Sequence, residues 1–327
     1  MKRRFVILPL MSALFLTFAS CGQKYFTSVG ETWGTSYHIV YKGSENLADS
    51  ARAIMAMIDN ELSLFNSEST VSRINDCRSD IAGEAFADVL DISCHVCSIS
   101  GGVYDPTVGP LCELWGFGKS DFREAPSDSA IAAVLESVGI RECRIDSVGR
   151  IIKKTSGTRF DFSSVAKGYG IDCIGRMFDR NGVQDYMIEI GGEVLVSGVN
   201  PKGLPWHIQI DSPSGGLSHE AFEVRELGPE KMSLATSGNY RNYRTDSTGT
   251  VFGHIISPIS GIPAVTSVLS VTVEAEQCAL ADALATACIA SGSAESAMEI
   301  LRKAGINGLV ISAGADGEPV EHRCGNF

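Results

Sequence analysis

Asp161-Phe162-Ser163-Ser164-Val165-Ala166-Lys167-Gly168-Tyr169-Gly170 is the stretch on which the reading of this chain turns. Arg159-Phe160-Asp161-Phe162 alternates polar and apolar side chains like the end of a half-buried strand, whereas Val165 to Phe178 carries apolar residues at helical spacing. The Ser163-Ser164 pair therefore falls at a strand-to-helix turn, where unpaired backbone N–H groups and the helix dipole favour an anion. Lys167 lies in the first helical turn, although the dipole prefers cations at the other end. A bound phosphate would account for it. So would a lysine that reaches solvent behind a serine cap, and the segment alone leaves both readings open.

A second segment, Ala281-Asp282-Ala283-Leu284-Ala285-Thr286, lies within Ala279 to Ala290, where Ala and Leu favour a helix. Asp282 and Thr286 stand four residues apart and project from one face of successive turns. A carboxylate and a hydroxyl so placed are hard oxygen ligands of the kind Mg²⁺ or Ca²⁺ takes, with further positions left for water and substrate phosphate. The same pair also suits a helix start stabilised by Asp282 and a hydroxyl bonded back to a carbonyl one turn earlier.

Outward from these segments the chain reads as globular, with 44% hydrophobic residues in 327. Its formal charge is −12, from 39 acidic against 27 basic residues, which argues against a nucleic-acid partner. Acidity is also a reason to expect a cation wherever a polyanion binds. Strands are expected at Thr35–Tyr41, Arg150–Lys153, Thr158–Phe162, Tyr186–Ile190, Val194–Ser197, Trp206–Ile210, Phe222–Arg225, Val251–Ile256 and Val265–Val273. Helices are expected at Leu47–Leu64, Glu84–Ser100, Asp128–Val138, Val165–Phe178, Ala279–Ala290 and Ala294–Ala304. Runs of strands with helices inserted predict an α+β fold rather than a regular βαβ series.

The N-terminus carries Lys2, Arg3 and Arg4, an apolar run from Phe5 to Phe18, then Ala19 and Ser20 ahead of Cys21. That is the layout of a secretory signal, with a run too short for a comfortable membrane span. Cys21 after two small residues points to a bacterial lipoprotein signal: residues 1–20 removed, Cys21 lipidated, and 21–327 left as the folded body. Phe18 departs from the aliphatic residue more usual there. The expected location is the bacterial cell envelope, lipid-anchored to a membrane and facing the periplasm or the exterior. Of ten cysteines, removal of Cys21 leaves an odd number, so at least one is unpaired or pairs between molecules. Cys94-His95-Val96-Cys97 has the spacing of a thiol redox motif. It sits inside a helical pattern rather than at a helix start, where such thiols are activated, and reads as small core residues.

Blocks spread along the chain, in a consistent order, resemble the ApbE family of FAD:protein FMN transferases. They are Gly30 to Thr35; Leu62-Ser63-Leu64-Phe65-Asn66 leading to Ser72-Arg73-Ile74-Asn75; and Tyr104-Asp105-Pro106-Thr107-Val108-Gly109-Pro110-Leu111 leading to Leu114 to Gly118. The Asp161 to Gly170 block follows, then Ile190-Gly191-Gly192-Glu193, Ala235-Thr236-Ser237-Gly238, His254-Ile255-Ile256-Ser257-Pro258 with Gly261, and Ala281 to Thr286. The resemblance implies an ApbE-like fold of mixed sheets with packed helices, one large domain of two intimately packed lobes.

It also implies a reaction: transfer of FMN from FAD to a Thr or Ser hydroxyl of an exported or membrane flavoprotein subunit of an electron-transfer system, with release of AMP. Such chemistry is mostly positioning and charge neutralisation. Carried over by position, the resemblance assigns Mg²⁺ to Asp282, Thr286 and the Ser164 carbonyl, the pyrophosphate to Lys167, and the nucleotide to Asp161. Trp33, Phe65, Val103, Tyr104 and Asp105 would complete the FAD pocket. His254, in a matched block, is the expected general base, with Asp282 and Lys167 as the other catalytic groups. Ser257 replaces a common aspartate, and Ser163-Ser164 a frequent Gly-Gly pair. Other readings are a Mg²⁺-dependent FAD pyrophosphatase, a non-catalytic FAD-binding lipoprotein, and a thiol enzyme built on Cys94 and Cys97.

Overall fold

The computed structural model describes residues 23–117, 124–213, 221–238, 243–245, 251–253, 255–316 and 318–327. The leader with Cys21, and His254, lie outside the described residues. Among the described residues, no helix is long and apolar enough to cross a membrane.

The frame is an eight-stranded sheet with spatial order Lys24–Thr32, Thr35–Gly43, Tyr186–Ile190, Glu193–Ser197, Met232–Gly238, Val268–Ala275, Asn307–Ala313 and Pro319–Cys324. Every pairing in it is antiparallel, and with the helices packed on it the fold is α+β, as expected. Side-chain alternation explains how the sheet is covered. Tyr37, Ile39 and Tyr41, then Tyr186, Ile188 and Ile190, turn to one face and pack under helices Ala48–Leu62 and Ala166–Arg180. Val40, Val194, Val196, Leu309 and Ile311 turn to the other, against Trp206, Ile210, Leu227 and Phe327. The central strands are thus apolar on both faces, with helices over one and the Trp206–Asp211/Ala221–Leu227 ribbon over the other.

The Cys278–Ala290 helix lies in the middle of the helical layer, and nearly all its residues are buried. A helix enclosed on all sides needs no polar stripe, and its alanines admit close neighbours. The Ala166–Arg180 helix crosses it so tightly that a Cβ on Gly168 would stand 2.4 Å from the Cys278 carbonyl oxygen. Only glycine fits that crossing.

Two expectations need correction. The strands Lys24–Thr32, Met232–Gly238, Asn307–Ala313 and Pro319–Cys324 were not anticipated, and Thr158–Phe162 forms no strand. Phe160 and Phe162 do point the same way, against Phe86 at centroid distances of 5.3 and 5.2 Å. The backbone between them is satisfied otherwise. Asn75 accepts the Phe160 N–H at 2.7 Å and donates to the Phe160 carbonyl at 2.8 Å, while Asp161 N–H donates to Pro106 O at 2.6 Å. A side-chain amide and one loop carbonyl replace the ladder, which satisfies the demand that buried backbone groups be paired.

Candidate active site

A cavity of about 540 Å³ opens where the first turn of the Ala166–Arg180 helix, the Cys278–Ala290 helix and the end of strand Met232–Gly238 meet. That volume is within the usual range for a bound small molecule. Val103, Tyr104, Asp105, Asp161, Ser164, Lys167, Asp282 and Thr286 all line it. Segments more than a hundred residues apart in the chain therefore meet at one surface.

Its floor is ionic. Lys167 Nζ lies 3.2 Å from Glu193 Oε1 and 3.8 Å from Asp282 Oδ2. Asp282 is 3% exposed, and its Oδ2 accepts the Gly168 N–H at 3.2 Å. Glu193 is 5% exposed, and its Oε2 has no hydrogen-bond partner. Two carboxyl groups thus face one ammonium in a buried place, so ionising both would leave one negative charge in excess. Burial raises the Asp282 and Glu193 carboxyls above their ordinary values, against the pull of Lys167. For Lys167, burial acts downward, but Asp282 and Glu193 outweigh it and hold the ammonium protonated.

Around this floor the remaining groups have narrower roles. Thr286 Oγ1 and Ser237 Oγ are 3.2 Å apart. The Ser164 hydroxyl donates to the Tyr104 hydroxyl at 3.1 Å, which ties the turn before the helix to the cavity wall. Asp161 Oδ1 accepts the Ser163 N–H at 3.0 Å. Asp105 lines the cavity, but its carboxylate is already engaged: Oδ1 accepts the Thr107 N–H and hydroxyl at 2.8 and 2.6 Å, and Oδ2 the Ile140 N–H at 2.9 Å. Ser257, in the place of the expected aspartate, accepts the Ile259 and Ser260 N–H groups at 3.3 and 3.2 Å and so shapes a turn.

Trp33 and Phe65 are not among the lining residues. Trp33 and Gly34 form the two-residue turn between strands Lys24–Thr32 and Thr35–Gly43, with φ of 50° and 75°, as a type I′ hairpin requires. The Trp33 ring lies over Gly170, where a Cβ would approach Cη2 to 2.3 Å, and its Nε1 donates to Met55 O at 3.1 Å. Phe65 is 94% exposed on the loop after helix Ala48–Leu62. Three residues received no role from the sequence: Glu193, Ser237 and Asp172. The first two sit in matched blocks and could have been found by asking which polar groups flank the Lys167 turn. Asp172 follows Lys167 by five residues, and nothing in its own neighbourhood marks it.

The nine described cysteines are all free. Burial, with Cys97 next in weight, pushes the Cys94 thiol up to about 11, and burial also raises Cys97. Neither has the thiolate character that a redox pair needs.

Comparison with known proteins places this architecture. A family model described as the ApbE family matches residues 33–310. The chain belongs to the ApbE family. A relative named FAD:protein FMN transferase from Vibrio cholerae is 33% identical over 299 residues, covering 88% of this chain and 87% of that one. Another of that name from Escherichia coli K12 is 30% identical, covering 94% and 92%. Among solved structures, the flavin transferase ApbE from Vibrio cholerae superposes with a TM-score of 0.82 at 29% identity, over 94% of this chain and 99% of that one. The apo flavinyl transferase ApbE of Pseudomonas stutzeri gives 0.81 at 28% identity, over 92% and 95%.

Proposed function

We propose that this ApbE-family chain transfers FMN from FAD to a threonine or serine hydroxyl of an acceptor flavoprotein, with Mg²⁺ in the site. The acceptor oxygen bonds to the FMN phosphorus, the bond from that phosphorus to the bridging oxygen breaks, and AMP leaves with the bridging oxygen. The observation that carries the reading is the juxtaposition of Lys167, Asp282 and Thr286 at one end of a ligand-sized cavity. The names of close relatives agree with it.

The residues fit a hard divalent cation. Among the described residues no cluster of three His, Cys, Asp or Glu groups could hold a metal. The donors are instead the buried Asp282 carboxylate, the Thr286 hydroxyl and the Ser164 carbonyl. Mg²⁺ commonly keeps waters and substrate phosphates beside one or two carboxylates, and a cation would favour the ionised form of the two carboxyl groups that burial pushes up. When bound, it supplies neutralisation of the pyrophosphate and of the departing phosphate. Lys167 adds a fixed positive charge on the same side. The N–H groups of Ser163, Val165, Ala166 and Gly168 are bonded within the protein, so at this turn a phosphate would meet those of Ser164 and Lys167. His254 is proposed to take the acceptor's proton, with Val103, Tyr104 and Asp161 bordering the flavin or adenine and the exposed Phe65 ring covering it from outside the cavity.

The test is intact-mass analysis of a candidate acceptor flavoprotein incubated with FAD, Mg²⁺ and this protein. A gain of one FMN, lost without Mg²⁺ and lost in Asp282→Ala, supports the transferase. Free FMN and AMP with an unmodified acceptor would make it a pyrophosphatase; binding without turnover would refute the chemistry altogether. The leader further supports a lipid anchor at Cys21 in the cell envelope and an acceptor in a membrane electron-transfer system. A Cys21→Ala chain should leave the membrane fraction, and its retention there would refute the lipid anchor.

A further inference from the structure

The two helices beneath the cavity cap each other. Val165 gives the Ala166–Arg180 helix no side-chain cap, and Gln277 gives none to the Cys278–Ala290 helix. Asp172, within the first helix, accepts the Cys278 N–H on Oδ1 at 2.9 Å and the Ala279 N–H on Oδ2 at 3.0 Å. Asp282, within the second, accepts the Gly168 N–H. Asp282 follows Cys278 by four residues and Asp172 follows Gly168 by four, so the two bonds are reciprocal across the crossing. Gly168 permits the approach, as described above. Asp172 is 7% exposed and is not among the cavity-lining residues, and the proposed reaction uses it nowhere.

We infer that Asp172 is a positioning residue for the cation site: by holding the first two amides of the Cys278–Ala290 helix, it sets where Asp282 and Thr286 stand against Lys167. The inference rests on the cation-dependent reading above. A carboxylate that takes two helix-terminal N–H groups makes charge-assisted bonds to donors that otherwise have no partner, at the end of the helix where negative charge is favoured. Without it the first turn is free to fray. Asp282 is in the second turn, and a displacement of about 1 Å at a catalytic group can cost on the order of 100-fold in rate.

The experiment compares Asp172→Asn with Ser293→Ala in the full chain. Ser293 caps the neighbouring Ala294–Ala304 helix by accepting the Ser296 N–H at 3.2 Å, so its loss reports a generic capping defect. Mn²⁺ alone, titrated by electron paramagnetic resonance, gives cation affinity without turnover. FMN transfer to the acceptor then gives kcat and KM for FAD. Asp172→Asn should weaken Mn²⁺ binding about tenfold or more and lower kcat about 10- to 100-fold, with KM for FAD within about threefold. Ser293→Ala should lower the melting temperature and leave Mn²⁺ affinity where it was. Wild-type Mn²⁺ affinity in Asp172→Asn would overturn the inference, as would an equal loss of affinity in Ser293→Ala. If Asp172→Asn does not fold, Asp172→Ser, which keeps one acceptor oxygen, is read against the same two limits. Failure of the wild-type chain itself to bind Mn²⁺ would overturn the cation reading, and this inference with it.

Discussion

The floor of the cavity and the two aromatic positions expected at its rim behave oppositely. On the floor, Lys167, Asp282 and Thr286 were expected together from sequence and meet at the cavity. Trp33 and Phe65, drawn from the same resemblance, stand outside the lining, one over Gly170 and the other in solvent. The difference lies in what each group can tolerate. A buried charge is stable only beside a partner, so the positions that can carry one are few. An aromatic ring packs acceptably in many places.

The sharpest test of this contrast is on the floor. Lys167→Met leaves Asp282 and Glu193 facing one another, and FMN transfer should fall roughly 100-fold or more, as when one preorganised charge stabiliser is removed; a rate within tenfold of wild type would detach Lys167 from the chemistry. At the rim, Trp33→Ala should act on stability instead. It removes the ring over Gly170 and the bond to Met55 O, and should cost about 2–3 kcal/mol in a denaturant titration. If FAD affinity falls while stability does not, Trp33 belongs to the ligand.

Glu193→Gln tests the second carboxyl of the floor. The Glu193 carboxyl is pushed up to about 8 from 4.5, mainly by burial and further by Asp282, with Lys167 opposing. A raised carboxyl favours the folded state while protonated. Its contribution is therefore full below pH 4.5 and is lost as pH rises toward about 8. Wild-type melting temperature should decline across that window more steeply than that of Glu193→Gln, and parallel curves would contradict the assignment. The smallest effect on the fold is expected of Phe65→Ala, because a residue 94% exposed has little to lose. Its melting temperature should be unchanged and its KM for FAD raised several-fold; an unchanged KM would remove Phe65 from the flavin site.

What was legible in the sequence follows the same physics. Helices with strong periodicity, such as Glu84–Ile99 and Ala294–Ala304, appeared within a residue or so of their expected bounds. Strand Met232–Gly238 was missed because Met-Ser-Leu-Ala-Thr-Ser-Gly is short of the β-branched and aromatic residues that mark strands. Asn307–Ala313 carried such residues and was overlooked. Lys167 and Asp282 were legible through the blocks that resemble the ApbE family, and the four-residue spacing of Asp282 and Thr286 placed those two on one helix face. Glu193 and Asp172 were not, since their importance arises only where distant segments cross.

The clasp at Asn75 has a consequence of its own. A ladder can slip by two residues and remain a ladder, because each rung resembles the next. The Asn75 amide offers one donor and one acceptor to one residue, Phe160. It acts as an index pin: slide the chain by a single position and both bonds vanish together. Asp161, Ser163 and Ser164 follow that pin directly, so their distance from the Lys167 helix is counted from a fixed mark.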